Sequence, residues 1–302
     1  MVIELLKAIR WKNILILFIT QILLYFKFIH NSIDTTNAKV STLSFTLLAL
    51  VTCIICAAGN IINNYFDFEL DQHSKLKSSS FFTKKNYLHI YTWLLIGGLI
   101  VSIFLANKTG FHKSFIIYPI TSFLLFIYSW KLKCIPLLGN LMISLFTGMV
   151  ILLIPYVYWE ELLELKEIDP NLWFNIIQSF IILFSFTTLL NLYREIIKDI
   201  EDQDDDRTEN CKSTSVYFGT IKTKLFAISS FITFLIIAIA YIFTIKFRLY
   251  QLGFFIFILL PSFYVFYLTV TAKEKSEFRK LSQYSKILMV VGLLFILFNL
   301  FQ

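Results

Sequence analysis

Long uninterrupted apolar runs dominate this sequence, and they restrict the fold before any motif is read. Nine stretches of roughly membrane length lie along the 302 residues. They are Asn13–Ile29, Leu43–Ile62, Tyr91–Leu105, Ser114–Trp130, Leu137–Trp159, Trp173–Tyr193, Leu225–Ile245, Leu252–Val270 and Tyr284–Phe301. Each is continuous rather than alternating. In lipid only helices and closed barrels satisfy their own backbone, so continuous runs predict helices. The expected fold class is an all-α membrane protein, with nine transmembrane helices in one bundle around a central cavity and a single polytopic domain over 1–302. Composition agrees: 57% of residues are hydrophobic and 33 are Phe. One water-soluble core of this size does not hide that much apolar surface. Trp130, Trp159, Trp173 and Tyr193 stand at run ends, where amphipathic rings favour the interface.

Lys and Arg orient the runs. With the N-terminus on the cytoplasmic side, inner segments hold 19 of the 27 basic residues and outer loops hold 6, with Lys27 inside the first run and Lys286 inside the last. The acidic stretch 160–169 then falls outside, and the polar segments 63–90 and 194–224 both fall inside. The expected location is the cell membrane, with the functional face toward the cytoplasm. The net charge of +7 follows from this topology, so no basic face is left for nucleic acid. No small-residue cleavage site follows the first basic residues, which predicts no removable signal peptide. Cys53, Cys56, Cys134 and Cys211 suggest neither a metal site nor a disulfide framework.

Chemistry concentrates in the two inner segments. Asn63, Asp67 and Asp71 recur every four residues, one stripe of a helix, and Asn60 joins that face. Stacked carboxylates repel one another unless a cation binds between them, and hard oxygen donors suit Mg²⁺. In the second segment Asp199, Asp202 and Asp206 share a face, but Asn191, Glu195 and Asp199 repeat the four-residue spacing, so the register stays open. A solvated helix end is the plain alternative for either segment alone. Two on the same membrane side point to function.

These residues resemble the UbiA-type intramembrane prenyltransferases. Asn63-x-x-x-Asp67-x-x-x-Asp71 is similar to the family's first signature and Asp199-x-x-Asp202-x-x-x-Asp206 to its second. The stretch 194–202 is close to the branch that prenylates geranylgeranylglyceryl phosphate. The segments 128–133 with Gly139-Asn140, and 10–13, also match the family. Two places depart from it: Lys75 or Lys77 stands where an Arg is common after the first motif, and Asn210 stands near the usual Gly after the second, with Gly219 retained.

The resemblance implies a Mg²⁺-dependent transfer of a prenyl group from a geranylgeranyl-like diphosphate to a lipophilic acceptor, with a prenylglyceryl phosphate hydroxyl favoured. Asn63, Asp67, Asp71, Asp202 and Asp206 would hold the metal, and Asp199 would take the acceptor's proton. Asn13, Asn60, Lys75, Lys133, Arg194 and Lys198 would bind substrate, with Tyr128 or Tyr65 facing the developing allylic cation. An aromatic quinone precursor or haem is the alternative acceptor. A cation transporter is the alternative of another class, although transporters place their charges near the bilayer midplane.

Overall fold

The computed structural model describes residues 2–30, 32–33, 41–73, 82–110, 115–208, 211–245 and 248–298; the side chains of 69–73 and 296–298 fall outside that description. Within it the chain is helical throughout. The helices are α1 Val2–Ala8, α2 Trp11–Tyr25, α3 Thr42–His73, α4 Lys84–Thr109, α5 Ile117–Trp130, α6 Leu138–Val157 and α7 Trp159–Ile168. Then follow α8 Pro170–Glu201, α9 Gln203–Thr208, α10 Thr214–Ile242, α11 Arg248–Phe254, α12 Leu260–Thr271 and α13 Lys275–Phe298. A π turn extends α2 through Phe26–His30, and another joins α11 to α12.

Among the described residues seven helices, counting Arg248–Thr271 as one, are long and apolar enough to cross a membrane. The molecule is therefore a multi-pass membrane protein. Its α5 is apolar but has only 14 residues, about 21 Å against a hydrocarbon core of about 30 Å. The runs at Leu43–Ile62 and Trp173–Tyr193 belong to longer helices, so that both acidic motifs continue a helix rather than begin a loop. The run Tyr91–Leu105, the shortest expected, lies within the 26 residues of α4. The acidic stretch 160–169 is mostly the separate helix α7, anchored by buried Leu162, Leu165 and Glu161.

The chain divides into two compact units. The first comprises Met1–Leu132 and Leu153–Ile176. Its core gathers Ala58, Ile61 and Ile62 of α3 against Tyr87 and Tyr91 of α4, with Phe82 beside them. Gly98 lets α4 and α5 approach closely. The Tyr118 hydroxyl lies against it and donates to the carbonyls of Leu94 and Leu95 at 2.9 and 3.1 Å. A Cβ at Gly98 would overlap that phenol.

The second unit comprises Lys133–Leu152 and Ile177–Gln302. Tyr193, Ile197, Phe231, Phe234, Phe254 and Leu281 form its core. The buried Tyr193 hydroxyl bonds Thr269 Oγ1 at 2.7 Å, which satisfies both groups away from water. Lys224 Nζ donates to the carbonyls of Val270 and Ala272, at 2.6 and 2.7 Å, and so caps the end of α12. Gly219, with φ 78°, breaks the first turn of α10 from the rest, a backbone setting that an L side chain disfavours. A disulfide joins Cys134 to Cys211, which corrects the expectation of no such bridge. The two cysteines lie 77 residues apart, and their proximity depends on tertiary packing that sequence spacing does not reveal.

Gly98→Val is expected to destabilise the first unit by roughly 1–3 kcal/mol through overpacking. Tyr118→Ala should cost less in the Gly98→Val background than on its own, because the added side chain meets the phenol ring as well as its hydroxyl. Thermal unfolding of the single and double variants in detergent measures both effects.

Candidate functional site

The first acidic cluster belongs to α3, in the first unit. Asn63 Nδ2 donates to Asp67 Oδ2 at 2.8 Å, one helical turn away. This bond sets the Asn63 side chain and the Asp67 carboxylate side by side on one stripe. Asp71 continues the helix, but its side chain lies outside the described residues, and Lys75 lies outside them altogether. Asn60, on the same stripe, is engaged by the backbone at the C-terminal end of the first helix. Its Nδ2 donates to the carbonyl of Ile9 at 2.9 Å, and Asn64 Nδ2 donates to that of Ala8 at 3.0 Å. The two amides satisfy carbonyls where α1 ends, and thereby fix the approach to α2. Asn13 sits exposed in the first turn of α2, and Tyr128 is half-buried near the end of α5.

The second cluster belongs to the second unit, and here the structure separates the competing carboxylates. Asp199 turns inward. Its Oδ2 accepts the Thr214 backbone N–H at 3.1 Å, and the Asn140 side chain lies within hydrogen-bond reach. Asn140 Oδ1 in turn accepts the Thr214 hydroxyl at 2.5 Å, and Thr214 Oγ1 accepts the Leu137 N–H at 2.9 Å. The Ser215 hydroxyl donates to the Asp199 carbonyl. Thr214 and Ser215 are fully buried, and Asn140 nearly so. Three segments, before α6, at the end of α8 and at the start of α10, therefore meet at one carboxylate. The Cys134–Cys211 bridge ties two of the same segments.

Asp202 and Asp206 stay half-buried, one turn apart, with the Asp206 N–H bonded to the Asp202 carbonyl at 2.9 Å. Burial, foremost, pushes both carboxyls above the usual carboxylate range, and each lies close enough to other Asp or Glu groups to be raised further. Lys198 Nζ stands 3.6 Å from Asp202 Oδ2 and opposes the shift. Glu195 is engaged by the Arg194 guanidinium, which removes it from the competition for metal. Lys133 sits in the short turn Leu132–Cys134 that leads to α6.

Among the described residues no three His, Cys, Asp or Glu side chains converge to hold a metal by themselves. The donors present still fit Mg²⁺. That ion usually takes one or two protein carboxylates and fills its octahedron with water and phosphate oxygens. Asp202 and Asp206, like-charged and desolvated on adjacent turns, offer such a pair, and Asn63 with Asp67 offers another. Asn140, Thr214 and Ser215 had no assigned role in the sequence-based set. The available signal was the polar Asn140 inside an apolar run, since polar groups within a membrane span require a partner.

Comparison with known proteins bears on these clusters. Over 277 residues the chain is 27% identical to the digeranylgeranylglyceryl phosphate synthase of Methanosphaera stadtmanae, which covers 85% of this chain and 93% of that one. It is 29% identical over 198 residues to the synthase of the same name from Methanobrevibacter smithii, and that match spans 64% of each chain, just under two thirds of the relative's length. A solved structure of a digeranylgeranylglyceryl phosphate synthase superposes on 99% of this chain and 98% of that one, with a TM-score of 0.70 and 26% identity. A UbiA homolog from Archaeoglobus fulgidus, solved with GPP and Mg²⁺, shares the fold at TM-score 0.57 and 15% identity, over 97% of this chain and 99% of that one. A model of the UbiA prenyltransferase family matches residues 35–293. The match covers most of the sequence and sets aside the transporter reading: the chain belongs to the UbiA prenyltransferase family.

Proposed function

We propose that this transferase moves a geranylgeranyl-like group from its diphosphate to the hydroxyl of a prenylglyceryl phosphate, with Mg²⁺, in the synthesis of ether-type lipids. The observation that carries the reading is the second acidic cluster, where Asp199 is held inward by Asn140 and Thr214 while Asp202 and Asp206 remain as an oxygen pair. The sequence match to synthases named for this product supports the choice of acceptor. On this reading the chain is one polytopic domain of nine spans in the cell membrane, with its N-terminus and active site toward the cytoplasm. The distribution of Lys and Arg supports that orientation.

Each side chain then has a task. Asn63, Asp67, Asp71, Asp202 and Asp206 hold Mg²⁺, which when bound draws charge from the leaving diphosphate. Lys75, Lys133, Arg194 and Lys198 add positive charge at the phosphate oxygens, Arg through its fork and Lys as a point charge. Asn60 acts by fixing the α1–α2 junction, on which Asn13 is carried. The bond from C1 to the diphosphate oxygen breaks, and Tyr128 offers its π face to the allylic cation. The acceptor hydroxyl oxygen forms the new bond to C1, and its proton passes to Asp199. The hydrogen bonds from Thr214 and Asn140 aim that carboxylate.

Purified protein with labelled geranylgeranyl diphosphate, Mg²⁺ and a panel of acceptors is expected to yield prenylated glyceryl phosphate. Product only with an aromatic acceptor, or none at all, would overturn the assignment. Asp67→Ala and Asp202→Ala should each abolish transfer without preventing membrane insertion, and near-parental turnover in both would sink the metal-site assignment.

Asp199→Asn should lower kcat by about 10²-fold or more, as expected for loss of a general base. Thr214→Val should lower it by roughly tenfold through misplacement of the same carboxylate. Donor KM should change little in either variant, and steady-state kinetics checks the split.

Because burial keeps Asp202 and Asp206 protonated to higher pH than ordinary carboxyls, and only the ionised form binds metal, the Mg²⁺ requirement should rise as pH falls. Mg²⁺ titrations between about pH 5 and 7.5 test this, the ordinary Asp value being about 3.9.

A further inference from the structure

Two ion pairs set α13 antiparallel to the end of α8. Arg279 Nε bonds Glu201 Oε1 at 2.9 Å, and Lys275 Nζ stands 3.7 Å from Asp205 Oδ2, where the helical course continues into α9. Moving four residues back along α13 matches moving four residues forward along the other strand of the ladder. Seven residues the other way on each helix is about two turns, or about 10.5 Å. That step brings Lys286 level with Arg194.

At this third rung the charge pattern fails. A carboxylate would complete the ladder. Instead Lys286 stands within electrostatic reach of two cations, Arg194 and Lys198, as well as Glu195 and Glu201. Those carboxylates are already engaged, Glu195 by Arg194 and Glu201 by Arg279. Lys198 faces Asp202. Among the described residues Lys286 has no ion-pair partner. Arg194 adds an independent sign, because its Nε is buried and donates to nothing. A desolvated guanidinium N–H without an acceptor is costly. Arg194 and Lys198 each have one carboxylate partner and Lys286 has none, so the cluster keeps one positive charge in excess and one unsatisfied donor, which together fit an oxyanion.

We propose that Arg194, Lys198 and Lys286 form a phosphoryl-anion subsite on the second unit, with Lys286 as its third cation. The chemistry is that of a phosphate headgroup carried by a prenyl lipid. Two substrates of the proposed reaction carry one: the phosphomonoester of the acceptor and the diphosphate of the donor. The proposal rests on the preceding functional reading for the identity of these ligands, but not for the subsite.

The test is equilibrium binding to the full chain in lipid nanodiscs, with EDTA present so that metal does not contribute. Geranylgeranylglyceryl phosphate, geranylgeranyl diphosphate and uncharged geranylgeraniol are titrated separately. Lys286→Gln is expected to weaken one of the two phosphorylated lipids by about tenfold, which corresponds to the loss of one charge-assisted hydrogen bond. Lys286→Arg should stay within about twofold of the parent, since it keeps the charge. The lipid that loses affinity identifies the source of the phosphate. Unchanged binding of both in Lys286→Gln, an equal loss for geranylgeraniol, or no binding of either lipid by the parent would overturn the subsite. A parent that binds the glyceryl phosphate but transfers nothing to it with Mg²⁺ would instead overturn the functional assignment and leave the subsite standing.

Discussion

An ionised carboxylate is expensive in hydrocarbon, and the architecture follows from that cost. Two helices carry the acidic motifs, α3 and α8, and each has 32 residues. At 1.5 Å per residue each is about 48 Å long, well over the roughly 30 Å of a bilayer core. Asp67 lies 25 residues into α3 and Asp199 lies 29 into α8, beyond the apolar part of either helix. Extending the helix rather than breaking it keeps backbone groups bonded while it carries the carboxylates past the apolar segment.

That extension also explains why polar side chains from distant segments gather around the second motif. Once Asp199 is drawn inward it must be compensated, and the compensation comes from Asn140 and Thr214 rather than from a cation. The result is a carboxylate fixed in direction by neutral donors, while its neighbours Asp202 and Asp206 keep their oxygens available. A direct lysine partner would have locked Asp199 into an ion pair and lowered its basicity. Gly219 and the Cys134–Cys211 bridge bear on the same arrangement, since each shapes the short segment that delivers Thr214.

Much of this was legible in the sequence where the signal is local. The apolar runs gave the helices, and the four-residue spacing placed Asn63 beside Asp67, as the 2.8 Å bond confirms. What was not legible depends on groups far away in the chain. The open register of the second motif was decided by Thr214, 15 residues beyond Asp199. Asn60 shares a stripe with Asn63, yet the carbonyl of Ile9, 51 residues earlier, claims its amide. The acidic stretch 160–169 was expected only to fall outside, with no structure read from its residues. It is helical because buried Leu162 and Leu165 recur at helical spacing. Lys286 passed unnoticed near the start of the last apolar run, since only the pairing of α13 with α8 gives it company.

On the proposed function the end of α8 and the start of α9 do two opposite jobs on two faces. On a helix of 100° per residue, Asp199, Asp202 and Asp206 fall within about 60° of one another. Arg194, Lys198 and Glu201 fall on a stripe roughly 100° away, the stripe that meets α13. On the proposed function, carboxylates for metal and cations for phosphate stand side by side, kept apart by the intervening angle except at Lys198. Lys198 is the one residue that bridges the two, at 3.6 Å from Asp202. Its exposure, 43% for the side chain, makes that ion pair weak and solvent-screened. On the proposed function a weak bridge is the useful kind, since a strong one would compete with metal for Asp202 and with phosphate for Lys198.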